Sequence, residues 1–415
     1  MAKILIVGGS LGGLFAANIL LRQGQDVLLL EKASGSLDGR GAGIVTHDAL
    51  ADALREAGIK IDENLGVKVS KRVTLGADGS SLGEMDLTQT LTSWSRLYQL
   101  LKENFPSERY LQGKTVKTVS QDADKVYVDC EDGSNYSADL LIASDGIRSA
   151  VRAQVAPAVG PEYAGYIAWR GVCDEGCLSK YTLDTLFNYF GFCLPNGEQM
   201  LGYPVAGSGN NTRVGSRRYN FVWYRPASEE DELIKLLSDA DGHHYPTGIP
   251  PAKVSWQHIH SMRSAAREIL APQYAEILEK TPAPFLQAIY DVRSEQIVFG
   301  RIALMGDAAF VGRPHVGMGV TKAGDEAMCI AKHISLLGAV PAALDAYSVE
   351  RLHLGQQVVA RAQYLGRYMQ AQGAKGNRDG ESLKRNADTV MAETAVDISS
   401  LLAAGKAVPI AAATL

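Results

Sequence analysis

Residues 3–7 form an unbroken apolar run that Gly8 and Gly9 cut off before a helical period can develop, which predicts a short buried strand. After Gly8-Gly9-Ser10-Leu11-Gly12-Gly13, residues 14–21 are apolar over a helical length and stop at Gly24, and residues 26–30 predict a second strand closed by Glu31. Two later stretches repeat this layout. Residues 138–143 predict a buried strand that runs into Ser144-Asp145-Gly146 and, past Arg148, Ser149 at a helix start. Residues 301–305 predict another, running into Gly306-Asp307-Ala308-Ala309, then Gly312, Pro314, Gly317 and Gly319, and a helix over 322–336. Between these, apolar runs are short (187–192, 200–205, 219–223) and separated by Gly, Asn and Pro, the pattern of an antiparallel sheet. Residues 230–237 and 265–278 predict helices, and 344–372 a long amphipathic helix. His258 and His260, two apart in a strand-like run, are expected on one face. The final forty residues, polar and then alanine-rich, read as a mobile tail or a dimer contact.

The first segment is a βαβ unit with a dinucleotide fingerprint. Gly8 makes the tight turn, Gly13 lets the helix pack closely, and a pyrophosphate can sit at the helix N-terminus beside Ser10 and Leu11. Ser10 replaces the middle glycine and brings a hydroxyl toward the phosphate. Glu31, 23 residues after Gly8, is placed to accept from a ribose, with Lys32 following it. This chemistry alone does not separate NAD from FAD; the bare N–H groups of the later Gly-Asp loop suit a second ligand segment.

Composition narrows the class. With 415 residues, 46% hydrophobic and 21% charged, the chain has the makings of two or three packed domains and is not a disordered one. Glycine, at 42 residues, is about a tenth of the chain, above the usual ~7%, and is concentrated in the three segments above. A net charge of −5 with no long basic run argues against nucleic-acid or anionic-membrane binding. Five cysteines form no even framework and point to a reducing, cytoplasmic setting, and Cys173 and Cys177 have no partner pair at zinc spacing, so no metal is expected. No transmembrane stretch or signal peptide is read.

The three segments, in this order, resemble the single-component FAD-dependent aromatic hydroxylases (group A flavoprotein monooxygenases). The string Tyr163-Ala164-Gly165-Tyr166-Ile167-Ala168-Trp169-Arg170-Gly171-Val172, with Gly41-Ala42-Gly43-Ile44-Val45 and Thr92–Tyr98, looks like the 2,6-dihydroxypyridine 3-monooxygenase branch of that family. Many relatives carry an arginine where this chain has Trp94, and the flavin loop here reads Arg313-Pro314-His315. The resemblance implies an α/β fold: a Rossmann-like FAD-binding domain (1–70, 100–155 and 285–345), an inserted, mostly antiparallel substrate sheet (71–99 and 156–284), and a C-terminal helix and tail (346–415). It implies NADH or NADPH as electron donor, molecular oxygen and a small aromatic substrate such as a hydroxypyridine, and hydroxylation through a C4a-hydroperoxyflavin; a homodimer is left open.

It also implies roles for residues. Gly8, Ser10, Leu11, Gly13, Glu31 and Lys32 would hold the ADP half of FAD, Asp145 and Gly146 would contact FAD in a segment also linked to NAD(P)H use, Asp307 would hold the ribityl chain, and Gly43, Ile44, Val45, Pro314, Gly317 and Gly319 would lie by the ring. His47 and Tyr203 are the candidate catalytic groups beside the ring, and Trp169, Tyr203 and His315 the candidate substrate contacts. Packing is the competing reading for each, as ion pairing is for Arg170 and Arg213. Two alternatives share the cofactor: a non-oxygenating or halogenating flavoenzyme, and a protein that merely holds flavin. The halogenase Trp-x-Trp string is absent, since no two of the four tryptophans are two apart.

Overall fold

The computed structural model describes residues 1–37, 43–373 and 386–396. Gly41 and Ala42 of the string quoted above, and the tail beyond 396, lie outside the described residues.

Apolar strands flanked by glycine turns build a six-stranded sheet in the order Val298–Phe299, Ile302–Leu304, Leu140–Ala143, Lys3–Val7, Asp26–Leu30, Tyr110–Leu111. All its pairings are parallel except that of the outermost strand, Val298–Phe299. Strands covered on both faces read as continuous apolar runs, as these do: Ile4, Leu5 and Ile6, and Leu140, Leu141 and Ile142, are fully buried. The helices Leu11–Arg22 and Gly319–Leu337 pack against each other over this sheet. Residues 116–138 add a three-stranded antiparallel sheet.

The second layer is a nine-stranded sheet that runs Phe310–Val311, Phe285–Arg293, Glu162–Asp174, Arg218–Pro226, Gln199–Val205, Phe190–Cys193, Val67–Leu75, Ser81–Ser93, Gly43–Val45. It is antiparallel except for the pairing of Phe190–Cys193 with Val67–Leu75. Two stretches expected in the cofactor-binding part, 43–45 and 285–293, are strands of this sheet, because hydrogen bonding carries the chain across the expected boundaries.

Other elements differ from expectation. The region around His258 and His260 is not a strand: Ser255 caps a helix Trp256–Ile269 by accepting from the Gln257 N–H at 3.3 Å. On a helix, positions two apart point to roughly opposite sides. Pro272 then opens a second helix, Pro272–Lys280, so the single helix expected over 265–278 is two. Trp256 is 69% exposed at the first helical position. The long helix spans Pro341–Gly373, and past it a short helix, Ala387–Glu393, docks on the sheet, so this part of the tail is ordered against the body.

Candidate active site

The three glycine segments meet at the C-terminal ends of the parallel strands, where a cleft opens between the layers. Its first part is a cavity of about 270 Å³ lined by Gly8, Ser10, Glu31, Lys32, Asp145 and Gly146 among others. Gly8 turns with φ +103°, and a Cβ there would lie 2.2 Å from the Ser144 carbonyl oxygen. A Cβ at Gly13 would lie 1.9 Å from the Gly8 carbonyl oxygen, so the helix rests directly on the turn and neither position accepts a side chain. Leu11 is the first residue of that helix and is buried, while Ser10 at the N-cap leaves its hydroxyl uncommitted to the cap. Glu31 accepts from the Gly9 N–H at 2.7 Å and the Ala33 N–H at 2.8 Å, so the carboxylate expected to face the ribose also fixes the glycine loop.

At the second segment, one oxygen of Asp145 accepts from the Val151 N–H at 3.2 Å, while Oδ1 is buried without a partner. Burial pushes this carboxyl up, against hydrogen bonds from Ser149 and the following backbone. Gly146, at φ +84°, has open space where its Cβ would be.

The third segment carries residues that sequence reasoning missed. Lys322 and Glu326, four apart on the helix Gly319–Leu337, are a buried pair (3.3 Å) gripping Gly306: the lysine donates to its carbonyl at 2.9 Å, and the glutamate accepts its N–H at 2.6 Å. Buried Arg152 donates to the carbonyls of Ala308 (2.9 Å) and Ile147, tying the second segment to the third. The i, i+4 charge pair was visible in the sequence, although its burial was not. Asp307 stands open to the main cavity, where surrounding protein pushes its carboxyl up and Lys322 and Arg152 oppose the rise.

That cavity, about 350 Å³, lies between the flavin loop and the large sheet. Its walls include Gly43, Ile44, Val45, Arg170, Tyr203, Tyr224 and Gln287 from the sheet, and Asp307, Pro314, Gly317 and Gly319 from the third segment and its loop. Trp94 lines both cavities and stacks on Tyr98 with 4.9 Å between ring centroids. A Cβ on Gly43 would lie 2.4 Å from the Tyr203 ring, so the strand can pass this ring only as glycine; a Cβ on Gly319 would enter open space at the helix start. Arg170 donates to Gln287 Oε1 at 2.7 Å, and burial pushes the Tyr203 phenol up to about 12, with Arg170 opposing.

The remaining sequence candidates lie elsewhere. Trp169 faces away: strand alternation puts it with Ile167 in the core on the other side of the sheet, while Tyr166 and Ala168 share the face of Arg170. His315 is fully buried behind the wall, 3.0 Å from the Tyr166 hydroxyl and 4.1 Å in ring-centroid distance from Tyr224. His47 stands at the N-cap position of the helix Asp48–Glu56 without a capping bond from its side chain, and its ring sits 3.3 Å from the Gly317 carbonyl oxygen rather than in the cavity wall. His258 meets the Lys235 carbonyl at 3.0 Å on the surface.

The donor set fits FAD: a helix N-terminus and an acid for the ADP half, an orphaned carboxylate oxygen midway, and an open glycine, Gly319, at a second helix start for the ring. The comparisons agree. A family model described as FAD binding domain-like matches residues 163–291. In fold and in the layout of this site the chain is similar to FAD-dependent monooxygenases of the aromatic-hydroxylase type.

Among individual proteins, the chain is 29% identical over 376 residues to 2,6-dihydroxypyridine 3-monooxygenase of Paenarthrobacter nicotinovorans, covering 90% of this chain and 92% of that one. It is 26% identical to a salicylate hydroxylase of Pseudomonas putida, covering 80% and 76%. The solved structure of 2,6-dihydroxypyridine-3-hydroxylase from Arthrobacter nicotinovorans superposes with a TM-score of 0.84 at 27% identity, covering 93% of this chain and 99% of that one. Among the described residues no helix is long and apolar enough to cross a membrane.

Proposed function

We propose that the protein uses NADH or NADPH and molecular oxygen to hydroxylate a small electron-rich aromatic ring, with a hydroxypyridine as the leading substrate class. The observation that carries this reading is the main cavity. Its volume of about 350 Å³ suits a flavin ring edge and a single-ring substrate, and its sheet wall is aromatic with a few convergent polar groups. The relatives named for 2,6-dihydroxypyridine support the substrate class.

Bound FAD supplies the electron transfer and oxygen activation. This chain's residues bind, orient and shield. The glycine turn, Ser10 and the helix N-terminus receive the pyrophosphate, and Glu31 the ribose, while Gly319 leaves room for the ring. Arg170, held by Gln287, attracts the electron-rich oxygen of a hydroxylated ring and favours its anionic form. Tyr203 keeps its proton at neutral pH, because burial holds its phenol near 12, and so it orients the substrate as a hydrogen-bond donor and does not act as a base. Tyr224 and the apolar wall keep water from the reacting centre.

The test is an absorption spectrum of the purified protein, then stopped-flow reduction by NADH and NADPH with and without 2,6-dihydroxypyridine. Flavin bands, reduction accelerated by the ligand and a product heavier by one oxygen atom are expected. Flavin bands with no acceleration by hydroxypyridines would discard that substrate class in favour of other arenes, a bound flavin that neither NADH nor NADPH reduces under any ligand would leave a flavin-holding protein, and a colourless protein that FAD cannot reconstitute would overturn the reading altogether.

A further inference from the structure

Among the described residues, one cluster outside the cleft brings a thiol, an imidazole and a carboxylate together. Cys329 and His333 stand four apart on the helix Gly319–Leu337 and so share a face, and Glu350 meets them from the neighbouring helix Pro341–Gly373. One ligand atom from each lies within 4.8 Å of the other two. His333 Nε2 is 3.1 Å from Glu350 Oε2, and the Cys329 thiol donates to the same carboxylate. Cys329 is buried at the base of the cluster, while the His333 side chain is 14% exposed and that of Glu350 42%, so solvent reaches the cluster from the carboxylate side.

Three donors converge on this carboxylate: the thiol, the imidazole and the Lys332 ammonium at 3.0 Å. The first two become metal ligands once the hydrogen-bonding proton is gone, and the third is a cation already drawn to the same oxygen. The Lys332 side chain is 56% exposed, and so open an ion pair contributes little, which leaves its flexible stem free to turn away. Arg351 is turned to Asp325 at 3.8 Å. Four-coordinate zinc, with bonds of about 2.0–2.3 Å, holds its ligand atoms about 3.5 Å apart, which these side chains reach by shifts of about 1 Å. A thiolate, imidazole and carboxylate set suits zinc, whereas magnesium and calcium take oxygen ligands.

The cluster is remote from the ring: Cys329 is ten residues, about 15 Å, along its helix from Gly319. Its two helices nevertheless frame the flavin loop. One begins at Gly319 where the loop ends, and on the other Val358, Ala362 and Leu365 pack with Val316 and Met318.

We propose that Cys329, His333 and Glu350 form a structural zinc site, with water as the fourth ligand, that staples these two helices behind the flavin loop. On binding, the metal takes the place of the thiol proton, which leaves to solvent, and Lys332 turns outward.

The test uses the full-length holoenzyme, freed of metal by a chelator and titrated with Co²⁺ and then Zn²⁺. Co²⁺ should give, at one equivalent, the intense visible bands of a tetrahedral thiolate site on the long-wavelength side of the flavin absorption, and one equivalent of Zn²⁺ should erase them. Cys329→Ser and His333→Gln should each abolish the bands and leave the flavin spectrum unchanged, whereas Cys177→Ser, which removes the exposed cysteine, should keep them. Zn²⁺ at 100 times its dissociation constant should raise the melting temperature by roughly 3–5 °C in the wild type and not in Cys329→Ser. Absence of the cobalt bands, bands that survive either ligand substitution or vanish with Cys177→Ser, or an equal thermal shift in wild type and Cys329→Ser would each overturn the proposal.

Discussion

Tyr203 constrains how a ring can be activated in this cavity. Its phenol is buried, and burial raises its pKa to about 12 while Arg170 pulls it down. Below that value it is a neutral donor, so no basic limb of a pH–rate profile belongs to it. Tyr203→Phe should lower kcat/KM about tenfold, the value of one hydrogen bond, and leave the profile between about pH 6 and 9 unchanged in shape. Steady-state kinetics across that range checks this; a profile that changes shape would make Tyr203 a base after all. Neighbouring residues show how much one position matters. Arg170 faces the cavity and Trp169 the opposite core, and parity along one strand decides which of the two can meet a substrate. The sequence carries the alternation but not its sign, because nothing local marks which face of the sheet the cofactor covers.

Among the elements, the three glycine-ended strands were legible because each is a local device: an apolar run, an acid and glycines within about ten residues. The large sheet was legible as a class but not in its edges, since hydrogen bonds between residues 43–45 and 91–93 are not written in either stretch alone. The helix at His258 was misread from alternating apolar and polar residues, although Ser255 ahead of it was an available cap signal. A buried ion pair joins two of the sheet's strands. Arg217, just ahead of the strand Arg218–Pro226, holds Glu175, just past Glu162–Asp174, at 2.6 Å and 3.1 Å. Burial acts to raise the Glu175 carboxyl, but bonds from Arg217 and the Gly215 N–H outweigh it and hold the pKa below the ordinary 4.5. A depressed carboxyl contributes stability above its unfolded value that is lost as pH falls through the lower folded value. Glu175→Gln should cost about 3 kcal/mol at neutral pH, as when one partner of a buried pair is removed, and the gap to wild type should narrow below about pH 4.5. Urea unfolding at pH 7 and pH 4 measures both; a constant gap would mean that the charge is not the source.

At the scale of the whole molecule, the cleft lies where two layers meet, and side chains from distant parts of the chain close it. Arg152 joins the second and third glycine segments, Lys322 and Glu326 clamp the third, and Arg72 reaches the C-terminal segment 386–396 across 322 residues to Thr394. No sequence signal marks a contact of that span, so that segment read as a tail. A ligand that lies across both layers binds only when they are docked, and its binding energy therefore adds to the stability of the assembled molecule. At 100 times its dissociation constant, FAD should add about 2.7 kcal/mol, which for a chain of this size raises the melting temperature by roughly 3–5 °C in one cooperative step. Calorimetry on flavin-stripped protein titrated with FAD measures it. A shift confined to one of two separate transitions would mean that the layers unfold independently and that FAD is held by the parallel-sheet layer alone.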